Sequence, residues 1–281
     1  MGEAKRRKGS PAVGSGWRLV PVRQPKPLRS LSIPDTALRL MTPQRLQALA
    51  ALAEELRGFA REQLAALPAP GTRAALDAAA AAIGEASERM LEREITRQRG
   101  EIAAFAADLD AVQCRAGCTW CCHFNVEVTV LEAVRIDAAM SAGAIAERRA
   151  AIAATAPAIA GLSRAARRRT GTPCPLLADG ACSAYSVRPL ACRSLLSLDA
   201  GACAADFSAG LAGEGRKEVP SLALPMLLGM AVFSGEAAAL ADFRLANHAV
   251  ELTQTLDLLQ RAPATLERWL SGEDVFPRAA G

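Results

Sequence analysis

The sequence predicts a mainly α-helical protein, a helical domain with an embedded cysteine-rich block that contains a short β-hairpin. Alanine dominates the apolar residues, which make up 51% of the chain, whereas aromatic residues contribute only 4%. This composition favours helices over sheets. Apolar residues also recur at helical spacing on both sides of the block. All eight cysteines lie between Cys114 and Cys203, with none in the 113 residues before or the 78 residues after.

The chain divides into four regions by composition. Residues 1–35 are rich in glycine, proline, serine and basic side chains, and we expect a disordered tail because they offer little apolar surface to bury. Residues 36–113 form an N-terminal helical region, residues 114–206 the cysteine block, and residues 207–281 a set of C-terminal helices.

The net positive charge of the chain comes from the tail. The first 30 residues carry eight basic side chains and one acidic one, a formal +7, so the rest of a chain of net charge +4 sums to −3. The body is therefore not a basic nucleic-acid binder by charge. A nucleic acid or another acidic partner could contact only the tail, and a solvated tail is the plainer interpretation.

Two helical stretches are predicted before the cysteines. Thr42 and Pro43 begin the first, because an N-cap hydroxyl followed by proline is typical of a helix start. The proline- and glycine-containing segment 68–71 ends it. The second stretch covers 73–113, where apolar residues recur at intervals of three and four, and it needs an apolar partner such as the preceding helix.

Further helices follow the first group of cysteines. Thr129 and Glu132 form a capping box, which predicts a helix that ends near Gly143. Another helix is predicted over 144–168, and its terminal arginines suit the negative end of a helix dipole, with a phosphate-binding patch as the alternative. Three C-terminal helices are predicted over 220–234, 236–261 and 263–271.

The sequence predicts a cytoplasmic protein without a membrane span. The basic start is not followed by the apolar segment of a signal peptide. The longest apolar run, 222–233, is interrupted by Pro225 and Gly229, and it is shorter than the roughly 20 residues that cross a bilayer. Thiols stay reduced in the cytoplasm, so a disulfide framework is the less favoured interpretation of eight cysteines.

Four cysteines are packed into the nine residues from Cys114 to Cys122. On a helix they would fall within an arc of about 100° and face one point. Gly117 weakens such a helix, so a turn that carries the same thiols is equally acceptable. The adjacent pair Cys121 and Cys122 indicates two metals, a bridging thiolate, or one ligand beside a residue that is not a ligand.

The second group begins with a hairpin signal, Asp179-Gly180 between apolar residues. A two-residue loop would pair residue 177 with Cys182 and point Cys174 and Cys182 to opposite faces. A three-residue loop over 178–180 would put both thiols on one face. Because a shared metal site requires the same face, we predict the longer loop, with Gly180 at positive φ.

This concentration of thiols predicts a metal site. Thiolates are soft ligands that suit zinc, Cu(I) and iron–sulfur clusters, and spacing alone does not separate zinc from iron. We expect the first and second groups to converge around metal, with Cys203 nearby. The candidate metal ligands are Cys114, Cys118, Cys121, Cys122, Cys174, Cys182, Cys192 and Cys203.

The two cysteine groups closely resemble the YkgJ-type cysteine-cluster family, named for a CxxCxxCC motif. The resemblance covers residues 114–203, although the first gap has three residues where the motif has two. It implies a zinc- or iron-chelating domain. The matching features are the doubled cysteine at 121–122, Cys174-Pro175, the glycine before Cys182, Tyr185, Arg188-Pro189 and Cys192-Arg193, with Ser197, Asp199 and Cys203 as an extension.

Other candidate residues are few. His123 adjoins the thiols and could replace one as a ligand, although a role around the site is favoured because the thiols already suffice. Arg188 and Arg193 could offset thiolate charge, or form ordinary ion pairs with aspartates. His248 is expected to be structural. The sequence contains no phosphate-binding P-loop, dinucleotide-binding glycine motif or HExxH zinc motif.

Three functions remain open from the sequence. The favoured one is a cytosolic protein that binds zinc or iron, with an iron–sulfur cluster as one form of the metal. Some flagellin lysine N-methylases resemble the same family through their cysteine cluster, so an iron–sulfur-dependent transferase is the alternative enzyme. The third is a metal-stapled interaction module whose basic tail engages an acidic partner. Substrate and oligomeric state do not follow from the sequence.

Overall fold

The structure is a computed structural model that describes residues 42–69, 71–141 and 147–279, together with Leu19. The prediction of a mainly α-helical protein is confirmed. The helices of the described residues are α1 Pro43–Ala65, α2 Arg73–Glu101, α3 Ala103–Asp110, α4 Val130–Ser141, α5 Arg148–Ile159, α6 Arg164–Thr170, α7 Leu190–Ser194, α8 Ala200–Leu211, α9 Ala223–Asp242, α10 Leu252–Arg261 and α11 Ala264–Leu270. The strands are β1 Glu127–Val128, β2 Leu177–Ala178, β3 Ala181–Cys182 and β4 Val250–Glu251.

The strands form two small antiparallel sheets. β2 and β3 make a hairpin, while β1 pairs with β4 through Glu127 opposite Glu251 and Val128 opposite Val250. The second pairing joins the segment after the first cysteines to the start of α10. It therefore ties the cysteine block to the C-terminal helices.

The first two helices begin where the sequence predicts. The Thr42 side chain accepts a hydrogen bond from the Arg45 amide at 3.2 Å, and Thr72 caps α2 in the same way. The stretch predicted as one helix over 73–113 is two helices, because the backbone is extended at Ile102 between α2 and α3. Gly100 just before the break has a low helix propensity, which favours an end there.

The core lies between α9 and the helices that surround it. α9 packs along α1 and also contacts α2 and α7, while α4 packs against α2 and α10. Val134, Ile136 and Met140 of α4 are fully buried, as the predicted apolar stripe requires. This framework supports one side of the cysteine block, since Leu176 and Leu190 belong to the same buried cluster.

α9 is long and apolar enough to pass a length-and-composition test for a membrane span, and 67% of its most apolar window is buried inside the protein. Core helices of soluble proteins pass the same test. The finding is thus weak evidence for a membrane, and burial against α1 explains why this helix is apolar throughout.

The predicted capping box is confirmed and does more than cap α4. The Thr129 amide donates to Glu132 Oε2 and the Glu132 amide donates to Thr129 Oγ1, both at 3.0 Å. Glu132 Oε1 also accepts from the Leu190 amide at 2.8 Å, and the Thr129 hydroxyl donates to Glu236 of α9. The start of α4 is therefore joined to α7 and to the core.

Two predictions about helix boundaries are wrong. The helix predicted over 144–168 is interrupted at Gly161, whose positive φ of 69° is unfavourable for other residues. The predicted break at residue 235 does not exist, because α9 continues to Asp242. The helix predicted over 236–261 instead contains an irregular segment and β4 before α10 begins at Leu252.

The predicted disordered tail, 1–35, lies outside the described residues except at Leu19. The Leu19 side chain is buried in the hydrophobic core. At least this apolar residue of the tail is therefore in contact with the folded protein.

Candidate metal centre

The first four cysteines lie on a turn and a short helix, which is the second of the two arrangements compatible with the sequence. Gly117 has a φ of 87°, and the Cys118 amide closes the turn onto the Arg115 carbonyl at 3.0 Å. A 3₁₀-helix then covers Trp120–His123 and carries the doubled cysteine. A continuous α-helix would require ordinary helical φ at residue 117.

A direct backbone contact joins the two cysteine groups. The Cys174 amide donates a hydrogen bond to the Cys122 carbonyl at 2.6 Å. The capped helix α4 between them thus reverses the chain and returns the second group to the first. His123 supports the same junction, since its Nδ1 lies 2.9 Å from the Gly171 carbonyl.

The hairpin after Cys174 is confirmed, but its predicted three-residue loop is wrong. Leu177 pairs with Cys182 and Ala178 with Ala181, which leaves a two-residue loop. Its two residues, Asp179 and Gly180, have φ values of 49° and 74°. Positive φ at both positions is typical of a type I′ turn, whose twist matches that of the strands.

The shorter loop does not separate Cys174 from Cys182. The Leu177 amide bonds back to the Cys174 carbonyl at 2.9 Å, so Cys174 lies on a turn before β2 and outside the strand alternation. The charge of Cys182 acts on the pKa of Cys174. The two-face argument fails because it assumed that the strand reaches back to residue 174.

Cys114 and Cys203 meet at Ser197, although 89 positions separate them in the chain. The Ser197 amide donates to Cys114 Sγ at 3.1 Å, and Cys203 Sγ donates to Ser197 Oγ at 3.2 Å. Gln113 fixes this segment, because its amide donates to the Ser197 carbonyl at 2.9 Å. The sequence placed Ser197 in the motif but did not indicate that it bridges two cysteines.

Burial is the main cause of the raised pKa values of five thiols. It raises the pKa of Cys174 to about 12 and that of Cys192 well above its ordinary value. Burial also raises the pKa values of Cys114, Cys182 and Cys203. These five thiols are thus protonated near neutral pH without a metal, and their binding of a metal must release protons.

The pKa of Cys121 is raised most by its neighbour Cys122, and burial comes second. Its hydrogen bond to the sulfur of Cys122 raises its pKa most, followed by burial and the charge of Cys122. The neighbouring sulfur therefore disfavours the thiolate form of Cys121.

Backbone amides lower the pKa values of two thiols, whereas burial raises them. The Leu176 amide lowers the pKa of Cys174 and the Ala184 amide lowers that of Cys182, each through a hydrogen bond to sulfur. Both donors lie two residues after the cysteine they serve. Amide hydrogen bonds of this kind stabilise a thiolate, so they partly offset the cost of burying its charge.

The two arginines of the motif, Arg188 and Arg193, have different partners. Arg188 lowers the pKa values of Cys114, Cys121 and Cys182, and its guanidinium lies over the Tyr185 ring at 4.4 Å. Its charge therefore favours the thiolates, as one of the two predicted roles requires.

Arg193 faces away from the thiols. It pairs with Glu88 of α2 at 2.9 Å, and Arg135 of α4 pairs with the same carboxylate at 2.7 Å. Its partner is neither a thiolate nor one of the expected aspartates. Nothing in the local sequence around Glu88 could have indicated this contact, because it depends on how α2 lies against α4 and α7.

The two histidines behave as supporting residues. The His123 ring lies 4.5 Å from the Phe207 ring of α8, and Trp120 lies 5.7 Å from the same phenyl ring. These contacts pack the 3₁₀-helix onto α8. His248 is buried beside the Phe276 carbonyl, far along the chain from the cysteines, as expected for a structural histidine.

The donor chemistry of the block fits zinc or iron. All eight cysteines are free thiols and each is partly buried, so the disulfide framework does not occur in this structure. Within the described residues, no three side chains of His, Cys, Asp or Glu are already arranged to hold an ion. Binding would thus require neighbouring thiols to draw together.

Comparison with known families finds a match to the same segment. The model of the CxxCxxCC family, described as "Putative zinc- or iron-chelating domain", matches residues 113–205. This segment is similar to the CxxCxxCC family. The match spans a third of the chain and contains all eight cysteines. No curated protein and no solved structure gives a significant match to the chain.

The bounds of the matched segment agree with the fold. It begins at Gln113, whose amide bonds to Ser197, and it ends within α8 just after Cys203. α2, α9 and α10, which pack against helices of this segment, lie outside it. The family description therefore covers the cysteine block and does not extend to these helices.

Proposed function

We propose that the cysteine block binds zinc or iron through its cysteine thiolates, and that the metal holds the short elements of the block together. The observation that carries the proposal is that hydrogen bonds join cysteines from distant parts of the chain, all of which are free thiols. Cys174 bonds to the backbone of Cys122, while Cys114 and Cys203 share Ser197. Packing alone would not require so many thiols in one block.

The electrostatics of the thiols favour a bound cation. Burial and mutual repulsion raise the pKa values of Cys174, Cys192 and Cys203. The Arg188 side chain supplies one positive charge for several thiolates. A bound divalent metal would supply the rest and keep the thiols deprotonated. Reduced thiols of this kind suit the cytoplasm.

Metal analysis of the full-length protein, purified without oxygen, tests the proposal. We expect zinc or iron to co-purify, and we expect joint replacement of Cys121 and Cys122 by serine to remove most of it. The control is an exposed serine substitution away from the block, such as Ala51→Ser in α1. Wild-type protein that neither retains nor takes up zinc or iron would contradict the proposal.

The visible absorption spectrum separates the metals. A colourless zinc protein supports a structural site, whereas a brown protein with iron and acid-labile sulfide identifies an iron–sulfur cluster. The second result would direct attention to the transferase alternative. In that case, transfer activity should be tested on the cluster-loaded protein.

A further inference from the structure

Ser197 is a buried residue that contacts two cysteines from distant parts of the chain. Its amide donates a hydrogen bond to Cys114 Sγ at 3.1 Å, and its hydroxyl oxygen accepts one from Cys203 Sγ at 3.2 Å. The residue is only 3% exposed. Because the amide and the hydroxyl belong to one small residue, both sulfurs are held beside the same point of the structure.

The backbone around Ser197 is fixed from two sides. The Ser197 carbonyl accepts from the Gln113 amide at 2.9 Å, so the residue just before Cys114 is bound to it. On the other side, residues 196–198 pair with residues 220–222, which lead into α9, through hydrogen bonds of 2.8 and 2.9 Å. Ser197 is therefore held on the helical framework, and not by its two cysteine contacts alone.

The Ser197 hydroxyl can serve a cysteine in either protonation state. Its oxygen accepts from the Asp199 amide at 3.1 Å, and its hydrogen can reach the carbonyl of Asp199 at 3.0 Å or that of Pro220 at 3.3 Å. This leaves the oxygen free to accept from the thiol of Cys203. A metal-bound cysteine is a thiolate and only accepts, and a hydroxyl that turns towards it can donate instead.

We infer that Ser197 is a positioning residue of the metal site, which holds Cys114 and Cys203 as ligands of the same ion. This inference rests on the proposed function. Thiolates that share an ion each lie about 2.3 Å from it, and two sulfurs held by one residue are brought within reach of one ion. Hydrogen bonds from the amide and the hydroxyl of Ser197 would stabilise both thiolates and orient them.

¹¹³Cd is a suitable probe, because cadmium(II) takes soft thiolate ligands and its nuclear spin couples to the protons of those ligands. The metal-free full-length protein is loaded with ¹¹³Cd(II) without oxygen and studied by nuclear magnetic resonance. We expect the β-protons of Cys114 and those of Cys203 to correlate with the same ¹¹³Cd resonance. The Ser197 amide proton should correlate with it as well, since scalar coupling crosses an N–H···S–Cd bridge.

Substitutions at Ser197 separate positioning from folding. Ser197→Ala removes the hydroxyl and keeps the amide, so we expect zinc(II) to bind about 10–100-fold more weakly. The ¹¹³Cd correlation of Cys203 should weaken in this variant, while that of the amide at position 197 remains. Ser197→Thr keeps a hydroxyl and should restore the zinc affinity.

The matched control is Ser194→Ala, a change of another buried serine of the same block. The Ser194 hydroxyl donates to the Leu190 carbonyl of its own helix at 2.8 Å. Its loss should leave the zinc affinity and the ¹¹³Cd correlations nearly unchanged. Helical circular dichroism shows whether each variant is folded, and the correlations of the wild-type protein need no variant.

The outcomes separate the inference from the proposed function. Cysteines 114 and 203 that correlate with different ions, or a loaded protein in which only one of them correlates, would overturn the inference and keep the function. A folded Ser197→Ala variant that binds zinc as the wild type does would overturn it as well. A wild-type chain that takes up no cadmium(II) also overturns it, and one that takes up neither zinc nor iron refutes the proposed function itself.

Discussion

Gly235 sets how closely α9 approaches α1. A Cβ at this position would collide with the carbonyl oxygen of Ala53 and lie 3.1 Å from its carbonyl carbon. Because these are backbone atoms of a neighbouring helix, they cannot move aside as a flexible side chain can. Gly235, which lies at the predicted boundary between two helices, is thus a point of close helix packing.

We predict that Gly235→Ala destabilises the protein by about 1–3 kcal/mol, the usual cost of overpacking a core. The matched control is Gly58→Ala on the exposed side of α1, where an added Cβ meets nothing within 4 Å. That change should stabilise the helix by roughly 0.5–1 kcal/mol. Urea unfolding measures both, and equal effects of the two variants would contradict the packing argument.

Glu236 is a second residue whose properties depend on the core. Its pKa is raised from 4.5 to about 8, chiefly by burial and then by the nearby Glu132, while Thr129 and Arg135 act in the opposite direction. The folded protein therefore holds a proton there that the unfolded chain releases at lower pH. Stability contributed by this group is present below pH 4.5 and is lost as the pH rises through about 8.

We predict that Glu236→Gln removes this loss, so the variant should be more stable than the wild type above pH 8 by on the order of 2 kcal/mol. The two proteins should differ much less near pH 5. Denaturant midpoints measured across this range test the sign. The exposed Glu92→Gln is the control, and a Glu236→Gln variant that loses stability with pH as the wild type does would refute the assignment.

Among the secondary-structure elements, α4 connects the framework to the cysteines. Its capping residue Glu132 accepts the buried amides of Thr129 and Leu190, and Leu190 begins the helix that carries Cys192. One carboxylate thus accepts hydrogen bonds from backbone amides at the starts of two helices. Since a buried amide without a partner costs about 1–3 kcal/mol, this residue holds the elements together.

We predict that Glu132→Ala destabilises the protein by roughly 2–4 kcal/mol, because it leaves both amides without an acceptor. Glu132→Gln should cost less, since its side-chain oxygen can still accept one of them. Guanidinium unfolding gives the two values. If glutamine and alanine are equally destabilising, the hydrogen bonds are not what the carboxylate contributes.

At the level of the whole molecule, the framework and the cysteine block differ in how they are stabilised. α1, α2, α4 and α9 bury extensive apolar surface against one another. The hairpin strands β2 and β3 have only two residues each, and few core side chains come from the segment around them. Metal binding and folding should therefore be coupled in the block but not across the chain.

We predict that a strong chelator exposes residues 170–210 to rapid hydrogen exchange, while helical circular dichroism falls only modestly. Structural zinc in thiolate sites contributes on the order of 10–16 kcal/mol near neutral pH, which is enough to order such a segment. Exchange measured by mass spectrometry locates the effect. Full protection of 170–210 in the metal-free protein would mean that the metal is not structural.

The basic tail allows a separate prediction. Deletion of residues 1–35 should leave the metal content unchanged, because the candidate ligands all lie beyond residue 113. Since Leu19 is buried, this deletion should cost about 2 kcal/mol of stability, whereas deletion of residues 1–18 should cost little. A metal-free product from the longer deletion would show that the tail contributes to the site.

The sequence by itself determined the helical class, the helix starts at Thr42 and Thr129, the hairpin with positive φ at Gly180, and the cysteines as the candidate ligands. Each of these follows from local physics, in caps, turns and ligand chemistry. Only the tertiary structure decided that Ser197 joins Cys114 to Cys203, that Arg193 pairs with Glu88, and that α9 continues through Gly235. These contacts join residues far apart in the chain, so their geometry depends on how whole helices pack.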